Sequence, residues 1–527
     1  STLVCCVAAV LFASGALAKP PPPYTDPDIA DTGPCWRASP PVAGFDPTGD
    51  DRFADAVASM EEEVERQYKS QTGVTGMMAG AVYDGQLVWS KGYGATSPDD
   101  KTPPDLDSVV RVASNTKIFT TLMLYQLRDA GIINIDTPLA ADQPMFSIRN
   151  PYGKLPAPYQ DLPPVTWKML TNHLAGMPGS PPACDIGNCS ISHVEMLKLV
   201  SELALERPPY VAPVYSNLGF AMLGRAMSNL TGEVWEDAVS ERITVPLGLE
   251  STFACYETLT DDAKSRIARS SVDTDLLYAT IGWMNPAGSM FSTTRDMLAL
   301  ATSLLAEQPE LPGLARRSRD EMLSPSFVFE SGREAQAQPF EVTYRNGAWF
   351  YTKSGDLNGW QSNLYMHPKQ RLAAYVVVMT ELDFSSLHGN ISGTIVNELM
   401  NVVDVLNAEA EAKIPVEPPL DPALAVGSYF SESAGFGVEL TTNDAGELSL
   451  VMGGATVGQL AQVIDEETGV PIPDLCRLRA TYDPSKSCYL SHMDGFNGGL
   501  TYLDLDDTGK VIGFTCSILL AAPFHRV

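Results

Sequence analysis

A serine and a lysine three residues apart have the clearest potential for covalent chemistry in this chain. Ser114-Asn115-Thr116-Lys117 is its single Ser-x-x-Lys, and it lies where an extended run, Val109 to Ala113, meets an apolar-periodic helix, Ile118 to Leu127. Residues three apart on a helix share a face, so we expect the Lys117 ammonium to reach the Ser114 hydroxyl. A helix N-terminus also stabilises the negative charge that develops during acyl transfer. The spacing therefore indicates a nucleophilic serine.

The same four residues have a simpler interpretation. Serine and lysine are common, and a chance match to this pattern occurs about once in a chain of this length. Ser114 would then be a helix N-cap, and Lys117 would be a solvated surface side chain. Companion residues elsewhere must distinguish the two interpretations.

Two Tyr-x-Asn triplets could supply the base that a serine nucleophile needs. Tyr215-Ser216-Asn217 follows a proline-rich segment and opens a predicted helix, Leu218 to Met227. Tyr344-Arg345-Asn346 instead leads into the Asn-Gly turn of a predicted hairpin, where a tyrosine is most simply a strand residue. We therefore take Tyr215 as the candidate base.

Lys353-Ser354-Gly355-Asp356 ends a predicted strand and is the third candidate element. It could be only a turn that carries a lysine. As part of a site, Lys353 would supply positive charge, Ser354 a hydroxyl for a substrate carboxylate or carbonyl, and Gly355 close backbone approach. The backbone N–H groups of Ser114 and Asp356 would then form the oxyanion hole.

In this order, Ser-x-x-Lys, Tyr-x-Asn and Lys-Ser-Gly resemble the motifs of the serine β-lactamase and penicillin-binding-protein superfamily. Longer blocks resemble its class C β-lactamase-like branch between about Met60 and Leu406: VVRVASNTKIFT, LTNHLAGMPG, YSNLGFAMLGRAMSNLTG, PAGSMFSTTRDMLAL and KSGDLNGWQSNLYMHPKQRLAAYVVVM. The chain also resembles secreted fungal β-lactamase-like proteins that carry an appended C-terminal β domain.

The resemblance implies a mixed α/β fold, in which an antiparallel sheet has helices on both sides and a helical subdomain completes the cleft. It implies that Ser114 carries an acyl group while Lys117 and Tyr215 share general acid/base work, and that Asn217 and Lys353 steady the substrate. The expected activity is hydrolysis of a small ester or amide, including a β-lactam-like one. Acyl transfer to another acceptor and non-catalytic binding on the same fold are the alternatives.

Two departures from the family pattern affect the expected substrate. Ser354 replaces the more common threonine but keeps the hydroxyl, whereas Asp356 adds a negative charge beside the proposed oxyanion hole. Such a charge disfavours anionic substrates such as penicillins. The segment between Tyr215 and Lys353 also has no Glu-x-x-Leu-Asn, so a separate glutamate that activates water is not expected.

Composition along the chain predicts two domains and several short segments. We expect a signal peptide at residues 1–18, a Pro-rich extended arm at 19–50, a β-lactamase-like catalytic domain at 51–409, a linker at 410–422 and a small β domain at 423–527. Within the catalytic domain, patterns predict helices at Asp51–Lys69 and Ile391–Ala408, a hairpin at Met77–Gly94, strands at Tyr344–Lys353 and Asn363–Met379, and an irregular surface excursion at 150–191.

The cysteines and glycosylation sequons fit a secreted, extracellular protein. Cleavage of the signal peptide would remove Cys5 and Cys6. Among the other seven cysteines, proximity predicts disulfides between Cys184 and Cys189 and between Cys476 and Cys488, and less directly between Cys35 and Cys255, which leaves Cys516 unpaired. Sequons predict glycosylation at three positions, Asn188, Asn229 and Asn390.

Charge and motifs exclude several function classes. A formal net charge of −29 repels nucleic acid and anionic lipid surfaces, so neither is an expected partner. The six histidines lack the spacing of a metal site, and no dinucleotide or phosphate-binding motif is present, so neither metal nor cofactor is expected. The predicted partner is a small-molecule ester or amide, and the sequence leaves the oligomeric state open.

Overall fold

The computed structural model divides the chain into two compact units, one ending at Glu411 and one beginning at Ala412. It describes residues 41–42 and 44–413, with gaps at 155–162, 185–188, 273–277, 308–309, 346–347, 358 and 382–385. Beyond residue 421 it describes 422–432, 435–442, 448–452, 455–461, 486–493, 496–505, 511–516 and 523–527.

The α-helices of the first unit range from single turns to a long C-terminal helix. They are α1 Asp51–Ser70, α2 Thr116–Asp129, α3 Leu139–Asp142, α4 Trp167–Thr171, α5 His193–Glu202, α6 Asn217–Thr231, α7 Trp235–Val239, α8 Asp261–Ser265, α9 Asn285–Gly288, α10 Thr294–Leu305, α11 Arg316–Leu323 and α12 Leu387–Ala412.

The strands of the first unit form one large sheet and one small one. They are β1 Val74–Tyr83, β2 Gln86–Gly94, β3 Val110–Arg111, β4 Phe291–Ser292, β5 Phe327–Val328, β6 Glu334–Gln336, β7 Glu341–Arg345, β8 Ala348–Leu357, β9 Trp360–His367 and β10 Leu372–Thr380. The large sheet has the order β2-β1-β10-β9-β8-β7-β6-β5, while β3 pairs with β4. The pairing is antiparallel between neighbours.

The central strands of the large sheet are buried on both faces, which explains their nearly continuous apolar sequence. Along β10, alternate residues from Leu372 to Val378 pack on one side with α1 and α12, where Met60 and Ile395 are fully buried. The intervening residues, such as Tyr375, pack on the opposite side with the other helices. Because successive side chains of a strand point to opposite faces, one apolar run contributes to both hydrophobic cores.

The predicted hairpin joins β1 to β2, and its turn lies at Asp84 and Gly85. Both residues have positive φ, 47° and 81° respectively. A two-residue turn with left-handed residues matches the twist of paired strands, so the Asp-Gly signal gave the correct connection.

Three segments differ from the sequence-based expectation. The supposed surface excursion contains helix α4, in which Trp167 and Leu170 are buried, because its apolar side chains complete the helical core. The described end of the supposed arm also packs on the domain, since Val42 N–H donates to Asn407 Oδ1 at 2.7 Å. Helix α12 continues to Ala412, into the predicted linker, because its Ala- and Glu-rich end favours helix.

The second unit contains a closed barrel of antiparallel strands. A short helix, α13 Pro422–Ala425, precedes it, which the sequence did not predict. The barrel strands are β11 Gly427–Ser431, β12 Phe436–Thr442, β13 Leu448–Met452, β14 Ala455–Ala461, β15 Lys486–Met493, β16 Phe496–Leu505, β17 Val511–Cys516 and β18 Pro523–Arg526. In β11 and β12, alternate residues such as Tyr429 and Leu440 are buried, as the strand period requires.

An ion pair braces the segment that enters helix α9. Arg225 contacts both carboxylate oxygens of Glu236, at 3.0 and 2.7 Å, and Asn285 Nδ2 donates to the same carboxylate at 2.7 Å. Arg225 also donates to the carbonyls of Gly282 and Trp283. The carboxylate therefore joins helices α6, α7 and α9.

We expect Glu236→Gln to lower the free energy of unfolding by about 2–4 kcal/mol, because it leaves the largely buried Arg225 without its counter-ion. Burial alone would raise the pKa of Glu236, but Arg225 outweighs it and lowers that pKa from its ordinary value of 4.5. The stabilisation by ionised Glu236 is therefore fully present above pH 4.5, and it is lost as the pH falls below 4.5 through the lowered pKa of the folded state.

Denaturant titrations of the wild type and variant at several pH values would measure this difference. Glu241→Gln, at an exposed position, is the matched control and should change stability by less than about 0.5 kcal/mol. Equal effects of the two substitutions would contradict the proposed role of Glu236.

Candidate active site

Ser114 lies in a tight turn between strand β3 and helix α2. A 3₁₀ turn, Ala113–Asn115, precedes the helix, which begins at Thr116. Ala113 has a φ of +47°, in the left-handed region that residues with a Cβ adopt at a cost of about 1–2 kcal/mol. This strained residue directly precedes Ser114, which therefore lies at the helix entrance.

The Lys117 side chain lies next to Ser114 and is fully buried. Its Nζ donates to Ser114 Oγ at 2.9 Å, to Asn217 Oδ1 at 2.8 Å and to the Ala287 carbonyl at 2.6 Å. Burial lowers the pKa of Lys117, and Tyr215 opposes that shift. The structure therefore contradicts the interpretation of Lys117 as a solvated surface lysine.

Tyr215, which precedes helix α6, contacts the same serine. Its hydroxyl donates to Ser114 Oγ at 2.7 Å, and the residue as a whole is 42% exposed. The ammonium groups of Lys117 and Lys353 lie 5.0 and 5.3 Å from the ring centre. Burial of the hydroxyl would raise the pKa of Tyr215, but the two ammonium charges outweigh it and lower that pKa from 10.

The His173 ring packs against the Tyr215 ring, a contact that the sequence did not reveal. Its ring lies 4.5 Å from the Tyr215 ring, centre to centre, and its Nδ1 accepts the Ser216 N–H at 3.1 Å. Burial holds the pKa of His173 well below 6.5, so the ring is neutral and can accept this hydrogen bond. Ser216 in turn caps helix α6, since its Oγ accepts the Gly219 N–H at 2.8 Å.

Lys353 reaches the cleft from strand β8 and is 1% exposed. Its Nζ lies 2.8 Å from Glu341 Oε1, on neighbouring strand β7. Burial would lower the pKa of Lys353, but Glu341 and Tyr215 together outweigh it and raise that pKa. Glu341 was not among the predicted site residues, because no motif marks a residue that becomes adjacent only through strand pairing.

Gly355 allows strand β8 to pass directly against the nucleophile turn. A Cβ at this position would lie 2.1 Å from the Val112 carbonyl and 3.1 Å from the Ser114 nitrogen. The Asn115 side chain links the same turn to strand β9, because its Nδ2 donates to Ser362 Oγ at 3.0 Å. The pairing of β7 with β8 ends where Glu341 lies opposite Thr352. Within the described sheet, β7 therefore does not cover β8 beyond Thr352, and this edge of β8 borders the cleft.

Asp356 lies at the end of this exposed edge, with its side chain 35% exposed. His388 Nε2 is 3.7 Å from Asp356 Oδ1, but burial lowers the pKa of His388 to about 4, so the imidazole is neutral at physiological pH. Burial raises the pKa of Asp356 to about 6, and Lys353 opposes that shift. Above that pH, Asp356 adds negative charge to the cleft.

The three predicted elements meet in one cleft of about 430 Å³. Its lining includes Ser114, Tyr215, Asn217, Glu341, Thr352, Lys353, Ser354 and Asp356. The competing Tyr344 lies in strand β7 and packs on Trp349 instead. Among the described residues, no cluster of three or more candidate ligands could hold a metal ion.

The cysteines and sequon asparagines are not among the residues that line the described cleft. Cys184 and Cys189 form a disulfide, as predicted. Cys255 is buried and makes no disulfide with a described residue, while Cys35, Cys476, Asn188 and the side chains of Cys488 and Cys516 lie outside the described residues. Asn229 and Asn390 are exposed on helices α6 and α12, and their glycosylation stays a prediction.

Comparison with known proteins identifies the family. The Beta-lactamase family profile matches residues 61–387, which include the whole cleft. The chain belongs to the beta-lactamase family. The predicted resemblance and fold class are therefore confirmed.

Relatives of this beta-lactamase family member include eukaryotic and bacterial proteins. Beta-lactamase-like protein 2 of Dictyostelium discoideum is 32% identical over 318 residues, 58% of this chain, but this chain spans only 56% of that protein's length. D-alanyl-D-alanine-carboxypeptidase/endopeptidase AmpH of Escherichia coli K12 is 27% identical over 331 residues, which cover 58% of this chain and 80% of AmpH.

A solved structure supports the fold. The beta-lactamase/D-alanine carboxypeptidase of Yersinia pestis, solved with citrate, has a TM-score of 0.54 at 20% sequence identity. The superposition covers 67% of this chain and 98% of that protein. At this identity the likeness shows the shared fold alone.

The close approach at Gly355 gives a direct test of the geometry in this beta-lactamase family member. Gly355→Ala would push strand β8 away from the Ser114 turn, because the new Cβ would overlap the Val112 carbonyl. A displacement of about 1 Å at a reacting centre reduces turnover roughly 100-fold. We expect at least that loss of labelling rate with a fluorophosphonate probe.

Gly389→Ala is the matched control. A Cβ there meets no atom within 4 Å, and the residue lies in helix α12, where alanine is favoured over glycine. The control should label normally and gain up to about 1 kcal/mol of stability. Normal labelling of Gly355→Ala would refute the close approach.

Proposed function

We propose that this protein is a secreted serine hydrolase that cleaves a small ester or amide through an acyl-Ser114 intermediate. The observation that carries the proposal is the position of Ser114 Oγ, within hydrogen-bond distance of both Tyr215 and Lys117 in an open cleft. A nucleophile, a base and a fixed cation in contact are the requirements for covalent acyl chemistry.

In the proposed first step, Tyr215 accepts the Ser114 proton as Oγ bonds to the substrate carbonyl carbon. The Asn217 oxygen and the Ala287 carbonyl, both fixed acceptors, hold Lys117 as an ammonium. That charge favours the phenolate of Tyr215 and thus makes the tyrosine a stronger acceptor of the serine proton at moderate pH.

The developing oxyanion would lie against the backbone N–H groups of Ser114 and Asp356. Support for this position comes from the approach of β8 to the Ser114 nitrogen and from its unpaired edge. The tetrahedral species then releases an alcohol or amine, which takes the proton from Tyr215. Water attacks the acyl group by the reverse of these steps and regenerates Ser114.

The expected substrate class and location have indirect support. AmpH, a relative, is named for carboxypeptidase and endopeptidase activity on D-alanyl-D-alanine peptides, which contain small amides. The Cys184–Cys189 disulfide suits an oxidising extracellular compartment. Separately from these points, none of the described helices is long and apolar enough to cross a bilayer.

Ser114→Ala and Tyr215→Phe test the two central roles. Ser114→Ala should abolish the acyl adduct seen by intact-mass spectrometry and lower kcat/KM for p-nitrophenyl acetate by about 10³-fold or more. Tyr215→Phe keeps the ring on His173 but removes the hydroxyl, so kcat/KM should fall by about 10²–10⁴-fold.

The pH profile separates a tyrosine base from a merely structural tyrosine. Because the pKa of Tyr215 is lowered from 10, wild-type kcat/KM should rise with pH and reach a plateau below that value, as the phenolate forms. The variant Tyr215→Phe should lose this rising limb.

Product analysis with added alcohols or amines tests whether the acyl group reaches an acceptor other than water. Predominant formation of a new ester or amide would assign the site to acyl transfer. No adduct and no turnover of esters, amides or a chromogenic cephalosporin would refute the hydrolase proposal.

A further inference from the structure

The charges around the cleft limit which substrates it can accept. Two carboxylates, Glu341 and Asp356, line the same cleft as Ser114. Two lysines, Lys117 and Lys353, also lie at the cleft. Whether either can attract a substrate anion depends on the groups that its ammonium already contacts.

Lys353 is already paired within the protein. Its ammonium is 1% exposed and lies 2.8 Å from Glu341 Oε1, whereas the Glu341 side chain is 42% exposed. A buried ammonium needs a counter-ion, and Glu341 supplies one. A substrate carboxylate could bind Lys353 only by displacing Glu341 or by lying against it, and both are unfavourable.

Lys117 is no better placed to attract a substrate anion. Two of its hydrogen bonds go to Asn217 and to the Ala287 carbonyl, and the third goes to Ser114. The side chain is fully buried behind the nucleophile. Neither lysine therefore offers an accessible, unpaired ammonium group for a substrate carboxylate.

Asp356 adds a second negative charge on the exposed edge of strand β8. Ser354 and Asp356 share the face of the strand opposite to the one on which Gly355 meets the Ser114 turn, and both still line the cleft along its open edge. The histidine next to Asp356, His388, is neutral at physiological pH and so does not offset its charge. Both exposed charged side chains in the cleft lining are therefore acidic.

We propose that Glu341 and Asp356 are specificity-determining residues that select acyl donors bearing an amine or another cationic group over donors bearing a carboxylate. This inference rests on the proposed serine hydrolase function and names its substrate class. The cation would be stabilised mainly by Asp356 and less by Glu341, whose charge Lys353 partly offsets, while the scissile carbonyl lies at Ser114. Charge complementarity at such a site acts chiefly by changing the difference in binding free energy between competing substrates.

Three matched substrates test the proposal at pH 8, which is above the pKa of about 6 that burial gives Asp356. They are p-nitrophenyl esters of equally long acyl chains that end in a tert-butyl, a trimethylammonium or a sulfonate group. The first two have nearly the same shape, so their kcat/KM ratio isolates charge. In the wild type we expect the cationic ester to exceed the neutral ester about 10-fold and the anionic ester to fall about 10-fold below it.

Glu341→Gln and Asp356→Asn keep side-chain size and remove one charge each. Each should reduce the cationic-to-neutral ratio by about 3–10-fold and raise the anionic-to-neutral ratio by a similar factor. A purely structural effect would lower turnover of the three esters together and leave both ratios unchanged. Glu334→Gln, at an exposed position on strand β6 and away from the described cleft lining, should leave the ratios at wild-type values.

The outcomes separate this inference from the proposed function. Turnover that depends on Ser114, with no preference for the cationic ester or with ratios unchanged in both variants, would overturn the selection and leave the hydrolase intact. If no ester is cleaved and Ser114 takes no acyl group, the hydrolase proposal and the selectivity both fail.

Discussion

The buried ammonium of Lys117 is the constraint on which the site depends. A charge removed from water is costly unless hydrogen bonds replace its hydration. Here the replacement comes from three different segments: Ser114 at the entrance to α2, Asn217 at the start of α6 and the Ala287 carbonyl in α9. Satisfying one buried group therefore fixes the relative positions of three helices, and the ion pair of Arg225 and Glu236 braces the α9 segment further.

The nucleophile is held between this cation and the edge of the large sheet. Ala113 adopts a left-handed conformation that an alanine seldom takes, and the strand at Gly355 lies too close for any side chain. Strain of this kind persists only where the surroundings over-determine it. The two sheet-lining cores provide that rigidity, because strand β9, which pairs with β8, is buried along its whole length. The Ser114 backbone N–H is thereby placed without relying on a mobile loop.

Much of the site could be predicted because its side chains occur in short motifs. Spacing gave Ser114 with Lys117, and the loop-to-helix corner distinguished Tyr215 from Tyr344. Glu341 was missed because only the register of β7 against β8 brings it to Lys353. The Ala287 carbonyl carries no side-chain signal at all, and the positive φ of Ala113 contradicts its residue preference. The burial of Trp167 was hidden by surrounding Pro and Gly residues that are typical of surface loops.

The Lys353–Glu341 pair also changes how charge is divided around Tyr215. Both lysines lie near the ring, but Lys353 shares its charge with a carboxylate, so its field at the tyrosine is partly cancelled. Lys117 has only neutral hydrogen-bond partners apart from Tyr215 itself, and its effect on the pKa of Tyr215 exceeds that of Lys353. A buried lysine can stabilise a phenolate or bind a substrate anion, and these two roles compete. In this cleft Glu341 prevents Lys353 from binding a substrate anion, and Lys117 contributes most to stabilising the Tyr215 phenolate.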